Sequence, residues 1–155
     1  KNLVDQKLLI NLPKRFLTNP PVVAANSPLE RTVLGYLSGN CGGCHNTTDP
    51  LSTVGMFLKR SIDISPEATK RELETFIGHK SKYQIPEVDG DQSYRILPGD
   101  PSKSSIIYRT ATRNPYRQMP PIGSKIIDQE AVDLITKWIQ EDLFHRNGEK
   151  QLTHQ

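Results

Sequence analysis

This chain has few cysteines, few aromatic residues and no long apolar segment. Its 155 residues include 2 cysteines and 1 tryptophan, and aromatic residues make up 6% of the total. Two cysteines allow a single disulfide rather than a disulfide framework. No apolar run approaches the roughly 18 residues that a membrane-spanning helix requires, so the sequence predicts no membrane span.

Apolar side chains are also scarce, at 35% of the residues, and 12 residues are proline. These values predict one loop-rich domain with a thin core, which favours a bulky cofactor in the interior. The formal charge of +3 is too mild for a nucleic-acid-binding protein. The first residues, KNLVDQKLLI, lack the apolar core and cleavage site of a signal peptide, so we expect a mature form or a domain of a longer protein.

Helix signals divide the chain into three parts. Residues 1–26 are rich in proline and predict an extended lead-in or linker, whose apolar side chains need burial: Leu8, Leu9, Ile10, Phe16 and Leu17. Residues 27–144 form the domain, and residues 145–155 a polar tail. Ser27 to Glu30 is a capping box that opens the first helix of the domain. Further helices are predicted from Ser65-Pro66, from Asp100-Pro101 and after Asp128.

The remaining features of the domain concern its loops and its aromatic residues. Residues 79–99 are predicted as loop, and a short β segment within 51–98 stays open. Tyr36 and Trp138 lie on the apolar stripes of the first and last helices. We expect both to pack where these helices meet.

The pentad Cys41-Gly42-Gly43-Cys44-His45 contains both cysteines. As a disulfide it would close a very small loop and stabilise little. A thioredoxin-like redox pair follows a strand, whereas this pair follows a predicted helix. A structural zinc ion needs four ligands, and the other histidines lie at no finger-like spacing: His79, His145 and His154.

Covalent attachment of haem uses every functional group of the pentad. The two thiols add to the vinyl groups of the porphyrin, and the adjacent histidine becomes the proximal iron ligand. Gly42 and Gly43 suit a backbone that lies close to the macrocycle, because they carry no side chain. The pentad therefore favours one haem c, bound by Cys41, Cys44 and His45.

A helix leading into CxxCH, a long loop region, a Met-Pro loop and a closing amphipathic helix together resemble a class I c-type cytochrome. The resemblance runs from about Pro28 to Leu143 and excludes residues 1–26. The segments ILPGDPSKSSIIYR and QMPPIGSKIIDQEAVDLITKWI are similar to monohaem cytochrome c domains found alone or fused to periplasmic quinoprotein dehydrogenases. The resemblance implies a mainly α, cytochrome c-like fold with three to four helices around one covalently bound haem. It also implies that Met119, in the MPP segment, is the distal iron ligand.

Met119 also has support from the residues themselves. It lies far enough beyond His45 for the chain to reach the other face of a haem, and the two prolines that follow it stiffen its loop. Core packing is the alternative role of Met119 and the expected role of Met56. His79 is the rival iron ligand, although its neighbours are polar.

A histidine–methionine pair leaves iron no open position, and the soft thioether favours ferrous iron. The sequence therefore predicts a one-electron carrier rather than an enzyme, or the electron-accepting domain of a larger oxidoreductase. The alternative is a gas-binding or peroxidase-like haem protein with an open sixth position. In the family, haem is attached outside the cytoplasmic membrane, which implies a periplasmic or other extracytoplasmic location.

Acidic residues are missing from residues 101–127, where five basic residues occur: Lys103, Arg109, Arg113, Arg117 and Lys125. Arg117 and Lys125 flank the Met119 loop. One interpretation is ordinary solvated surface. The other is a basic collar at Arg113, Arg117 and Lys125 that steers an acidic redox partner, which could be a fused or associated dehydrogenase. Tyr108 is a candidate donor to a haem propionate.

Overall fold

The computed structural model describes residues 2–48, 50–60 and 66–145. Its α-helices are α1 (Asn2–Asp5), α2 (Arg15–Thr18), α3 (Pro28–Asn40), α4 (Pro66–Glu74), α5 (Ser105–Thr110) and α6 (Gln129–Gln140), with short 3₁₀ helices at Pro50–Val54 and Pro101–Lys103. The predicted mainly helical class is confirmed. No helix in the described ranges is both long and apolar enough to cross a membrane.

Helix α3 begins as its sequence predicts. The Ser27 hydroxyl accepts a hydrogen bond from the Glu30 amide at 2.9 Å, and Pro28 occupies the first helical position. The Glu30 carboxylate reaches back one residue further than a standard capping box, to the Asn26 amide at 3.2 Å. It is also buried, and it accepts from Trp138 Nε1 at 3.4 Å. The cap of α3 is therefore tied to α6.

Helices α3 and α6 pack together and form the centre of the core. Asp128 caps α6 as expected, because its Oδ1 accepts from the Ala131 amide at 3.0 Å. The two helices bury one apolar face each against the other and against Phe76 and Ile96: Val33, Leu34, Leu37, Ile135, Trp138 and Ile139. Trp138 is fully buried and Tyr36 is partly buried against the same cluster. The expected packing role of both aromatic residues is confirmed.

Helix α5 is shorter than the sequence predicts. Asp100 caps only the 3₁₀ turn, accepting from the Ser102 and Lys103 amides. The chain then becomes extended at Ser104, which pairs with Tyr94. The buried Ser104 hydroxyl accepts from the Leu97 amide at 2.8 Å and donates to the Asp100 carbonyl at 2.9 Å. These contacts of Ser104 with Tyr94, Leu97 and Asp100 interrupt the predicted helix. It therefore forms a 3₁₀ turn followed by the short helix α5.

Residues 51–98 form no strand in their described part. The structure shows only isolated bridges, between Ile77 and Ile96 and between Lys80 and Tyr94. Helix α4 ends at Glu74, and the predicted stop, Gly78, lies beyond it with a φ of +70°. Ser65, the expected cap of α4, lies outside the described residues.

The lead-in differs from its prediction in two ways. It contains the four-residue helices α1 and α2 instead of being extended throughout. Most of its apolar side chains are exposed, including Leu8 and Ile10 at 71%. Among the described residues of this segment, only Val23 and Ala25 pack against the core. The lead-in therefore adds little to the core. Of the tail, only His145 is described, and His154 lies outside.

Truncating Trp138 to alanine should destabilise the fold strongly. Its indole is fully buried between α3 and α6, and losing it should lower the free energy of unfolding by about 3–5 kcal/mol. Urea denaturation followed by circular dichroism measures this. Tyr116→Ala is the aromatic control, because Tyr116 is 93% exposed and should change stability by less than about 0.5 kcal/mol. Equal losses in the two variants would contradict this account of the core.

Candidate functional site

The pentad forms a tight turn at the end of α3. Cys41 is the C-terminal cap of the helix, and its amide donates to the Leu37 carbonyl at 2.9 Å. The Cys41 carbonyl then accepts from the amides of Cys44 and His45, at 3.1 and 2.9 Å. The helix thus presents both thiols and the imidazole from one turn of chain.

A second segment of the chain, at Leu58 and Lys59, hydrogen-bonds to this turn. The His45 carbonyl accepts from the amides of Leu58 and Lys59, at 2.8 and 3.3 Å. A Cβ added at Gly42 would lie 2.6 Å from the Ser38 oxygen and 2.8 Å from Lys59 Cα. Glycine is needed at position 42 for this backbone contact, which differs from the predicted approach to a macrocycle. Gly43 has no such neighbour within 4 Å.

Asn46 is a structural residue of the site that the sequence did not indicate. Its side chain is buried, and Nδ2 donates to the carbonyls of Gly42 and Gly43, at 3.1 and 2.9 Å. Its Oδ1 accepts from the Thr48 amide at 2.9 Å. The only sequence signal is its position directly after the pentad. Asn46 therefore locks the turn that presents the two cysteines.

Replacing Asn46 by alanine should loosen this turn. The change leaves the buried Gly42 carbonyl and the part-buried Gly43 carbonyl without this donor, which costs on the order of 1–3 kcal/mol. The free energy of unfolding should fall by that amount in urea titrations. Asn40→Ala is the matched control, since Asn40 is exposed and its Nδ2 makes one bond, to the Tyr36 carbonyl at 2.9 Å. A loss at Asn40 as large as that at Asn46 would argue against the lock.

Two adjoining cavities open beside the pentad. The first, named the cysteine cavity, has a volume of about 290 Å³. Its wall contains both cysteines, His45 and Met119, together with residues of α3, α6 and the Met119 loop: Tyr36, Leu37, Asn40, Thr110, Arg113, Pro120, Pro121, Ser124, Ile126, Asp128, Ala131, Val132 and Ile135. Most of its lining area is apolar, as is usual for a cofactor site.

The second, named the arginine cavity, has a volume of about 350 Å³. It shares Cys41, His45, Thr110 and Met119 with the cysteine cavity. Its other lining residues are Val54, Met56, Leu58, Ser81, Lys82, Tyr83, Arg95, Ser105, Ile106 and Arg109. His45 and Met119 thus both line each of the two cavities.

This arrangement brings together all four residues that the sequence singled out. Cys41, Cys44, His45 and Met119 line one continuous region although Met119 comes from a distant loop. That loop is fixed by its backbone, because the Met119 amide donates to the Arg109 carbonyl at 2.9 Å. Next to it, the buried Gln118 side chain donates to the Pro121 carbonyl at 3.2 Å. Two thiols that can add to vinyl groups, with an imidazole and a thioether that can ligate iron, form a donor set that suits a covalently bound haem.

The other methionine lies at the arginine cavity, whereas the other described histidines, His79 and His145, lie at the surface. Met56 packs against the core, as predicted, and also lines the arginine cavity. His79 and His145 are exposed, and neither lines a cavity. In residues 2–48, 50–60 and 66–145, no three His, Cys, Asp or Glu side chains form a group that could hold a metal ion.

The Cys41 thiol lacks the lowered pKa of a reactive cysteine. Both cysteines are free, with Cys41 half-buried and Cys44 exposed. Burial, and then the neighbouring Cys44 thiol, raise the pKa of Cys41 to about 11. Reactive CxxC pairs need a lowered pKa so that a thiolate exists at neutral pH. Cys41 is therefore a poor attacking thiol at neutral pH.

Polar groups at the rim of the cysteine cavity come from α3, from the N-terminal cap of α6 and from the loop after α5. The Tyr36 hydroxyl donates to Asp128 at 3.1 Å, and burial, together with this bond, raises the pKa of Tyr36 to about 12. Arg113 donates to the Thr112 carbonyl at 2.6 Å and lines the cavity. Arg117 and Lys125 are exposed and line neither cavity. The predicted basic collar therefore divides into one inward arginine and two outward cations.

No family model, curated protein or solved structure matches this chain. The chemistry of the site is therefore inferred from its own residues.

Proposed function

We propose that this chain is a monohaem c-type cytochrome domain that carries single electrons between protein partners. The observation that supports it most is that Cys41, Cys44, His45 and Met119 line one apolar cavity. The composition of this donor set fits covalently attached haem better than zinc or a dithiol. A cytochrome c-like arrangement of α3, α5 and α6 around that cofactor belongs to the same proposal.

Each of the four residues has a distinct task. Cys41 and Cys44 would bind the cofactor through thioether bonds, and their spacing is held by the turn that Asn46 locks. His45 would be the proximal iron ligand, while Met119 would occupy the distal position. Bound there, haem supplies reversible exchange of one electron between ferric and ferrous iron. The apolar walls from Leu37, Val132 and Ile135 exclude water from this region.

An electron carrier is favoured over the gas-binding or peroxidase-like alternative. Because Met119 lines both cavities, a thioether is available to fill the sixth position. Among the described lining residues of either cavity, His45 is the only histidine. A peroxidase-type distal site needs a second histidine beside its arginine, and the described walls do not supply one.

The direct test is acid–acetone extraction of the purified protein. Covalently bound haem should stay with the chain and give a pyridine haemochrome spectrum of c type. Expression must include a haem-attachment system outside the cytoplasmic membrane, in line with the proposed periplasmic or other extracytoplasmic location. Colourless protein, or pigment that passes entirely into the solvent, would reject the proposed function.

Arg117 and Lys125 are proposed to steer an acidic redox partner, such as a fused or associated dehydrogenase. Both are exposed beside the Met119 loop, which also exposes apolar residues, with Ile122 at 82% and Ile126 at 84%. Reversing both charges to glutamate should slow electron exchange roughly tenfold at low ionic strength and much less at high salt. Stopped-flow reduction by an acidic partner protein measures the rates.

Lys14→Glu with Lys70→Glu is the matched control for this test. Both lysines are exposed and line neither cavity, and the double change alters the net charge equally. Steering predicts a small effect in this control. A rate that falls equally in both double variants would mean that only net charge matters.

A further inference from the structure

Positive charge is concentrated in the wall of the arginine cavity. Lys82, Arg95 and Arg109 all line it, and none of its described lining residues is Asp or Glu. They come from separate parts of the chain, so the sequence does not group them. The proposed electron-carrier role assigns nothing to these three cations.

Arg95 is the most deeply placed of them, with 8% of its surface exposed. Its guanidinium donates to the Gly55 carbonyl at 2.6 Å, to the Val54 carbonyl at 2.5 Å and to the Thr75 carbonyl. These bonds use three of the five N–H groups of an arginine and involve no carboxylate. A buried cation surrounded only by neutral acceptors is costly unless an anion approaches it.

Arg109 is fixed by contacts that leave its fork, the two terminal guanidinium nitrogens, available. Its Nε donates to the Arg117 carbonyl at 2.9 Å, and its guanidinium lies 4.7 Å over the Tyr83 ring. None of the described residues hydrogen-bonds its terminal nitrogens. This fork is the part of an arginine that makes bidentate contacts with carboxylates. Lys82 adds a third charge from the exposed edge, where its ammonium donates to the Thr53 carbonyl at 3.4 Å.

The cysteine cavity is less suited to an anion. Its one arginine, Arg113, presents a buried Nε that no described residue accepts from, which makes it the competing anchor. However, Asp128 lines the same cavity and would repel a carboxylate. Cys44 lines only this cavity, and the vinyl groups that react with thiols lie on a different edge of a porphyrin from its propionates.

We propose that the two propionate carboxylates of the haem lie in the arginine cavity, paired with Arg95, Arg109 and Lys82. This inference rests on the proposed function, because it concerns the orientation of that cofactor. It assigns the three cations a role in neutralising the cofactor and in tuning its potential. Arg113 then has no part in binding the propionates.

The test compares Lys82→Gln with Arg109→Gln, alone and together, with Arg113→Gln as the matched control. The readouts are the midpoint potential of the covalent haem protein and its propionate-bending band in resonance Raman spectra. Removing a cation beside the carboxylates disfavours the reduced form, so the double variant should have a lower potential and a shifted band. Arg113→Gln removes a cation from the wall of the cysteine cavity, so it should lower the potential slightly but leave the propionate-bending band unchanged. Arg109→Lys should restore the potential in part, because it keeps the charge but not the fork.

A shifted propionate-bending band in Arg113→Gln would overturn the inference, as would an unchanged band in every variant. If Arg109→Gln does not fold, Lys82→Gln alone decides the question, since its side chain is exposed and its replacement is tolerable. Wild-type protein without covalent haem would reject the proposed function itself. Covalent haem with no response at Lys82 or Arg109 would reject only the orientation.

Discussion

Replacing both Cys41 and Cys44 with alanine should abolish all haem that survives acid–acetone extraction. These are the only cysteines of the chain, so no other thiol can form a thioether bond. Retention on the polypeptide should fall from nearly complete to background. Pyridine haemochrome spectra and the intact mass of the extracted chain measure the loss.

The single variants are the controls for this experiment. Cys44→Ala and Cys41→Ala each keep one thiol in the cysteine cavity and should retain haem through one bond. The unreacted vinyl group extends the conjugation of the porphyrin, so the haemochrome α band should move to longer wavelength. Covalent haem in the double variant would refute attachment through the pentad.

Replacing Met119 with alanine should remove the weak near-infrared sulfur-to-iron band of the ferric protein and lower its midpoint potential. The expected fall is on the order of 0.2 V, inside the range of about 0.8 V over which axial ligands set haem potentials. The open position should also bind cyanide or carbon monoxide rapidly. Absorption spectra and potentiometric titration of the same sample measure these changes.

Met56→Ala is the matched control, because Met56 is the other methionine of the chain. Met56 lines the arginine cavity together with His45 and Met119, so position alone gives it access to the same region. If Met119 is the ligand, Met56→Ala should keep the band and the potential. Loss of the band in Met56→Ala but not in Met119→Ala would transfer the distal role to Met56. A wild-type protein without the band that binds carbon monoxide rapidly would favour the gas-binding alternative.

Elements that depend on residues close together in the sequence were predicted well. The cap of α3 at Ser27 and the cap of α6 at Asp128 each depend on residues a few positions apart. Such hydrogen bonds form whenever the local sequence permits them. The apolar stripes of α3 and α6 were equally readable, because helical periodicity places them on one face.

Features that depend on distant residues were missed. The division of the third predicted helix at Ser104 requires a partner, Tyr94, ten positions away. The buried role of Arg95 depends on carbonyls at Val54, Gly55 and Thr75. The lead-in was expected to lie against the core or a neighbouring domain, and the structure leaves its Leu8 and Ile10 exposed rather than packed on the core. The sequence shows that an apolar side chain favours burial, but it does not show which residues would cover that side chain.

The sequence by itself determined the donor groups of the candidate site and the turn that joins three of them. Cys41, Cys44 and His45 are close in the chain, so their grouping needs no long-range contact. Only the tertiary structure decided that Met119 faces the same region, that Met56 comes near it and that Arg95 and Arg109 share one wall. These groupings join segments that are far apart in the sequence, and their meeting depends on shape and burial across the whole chain.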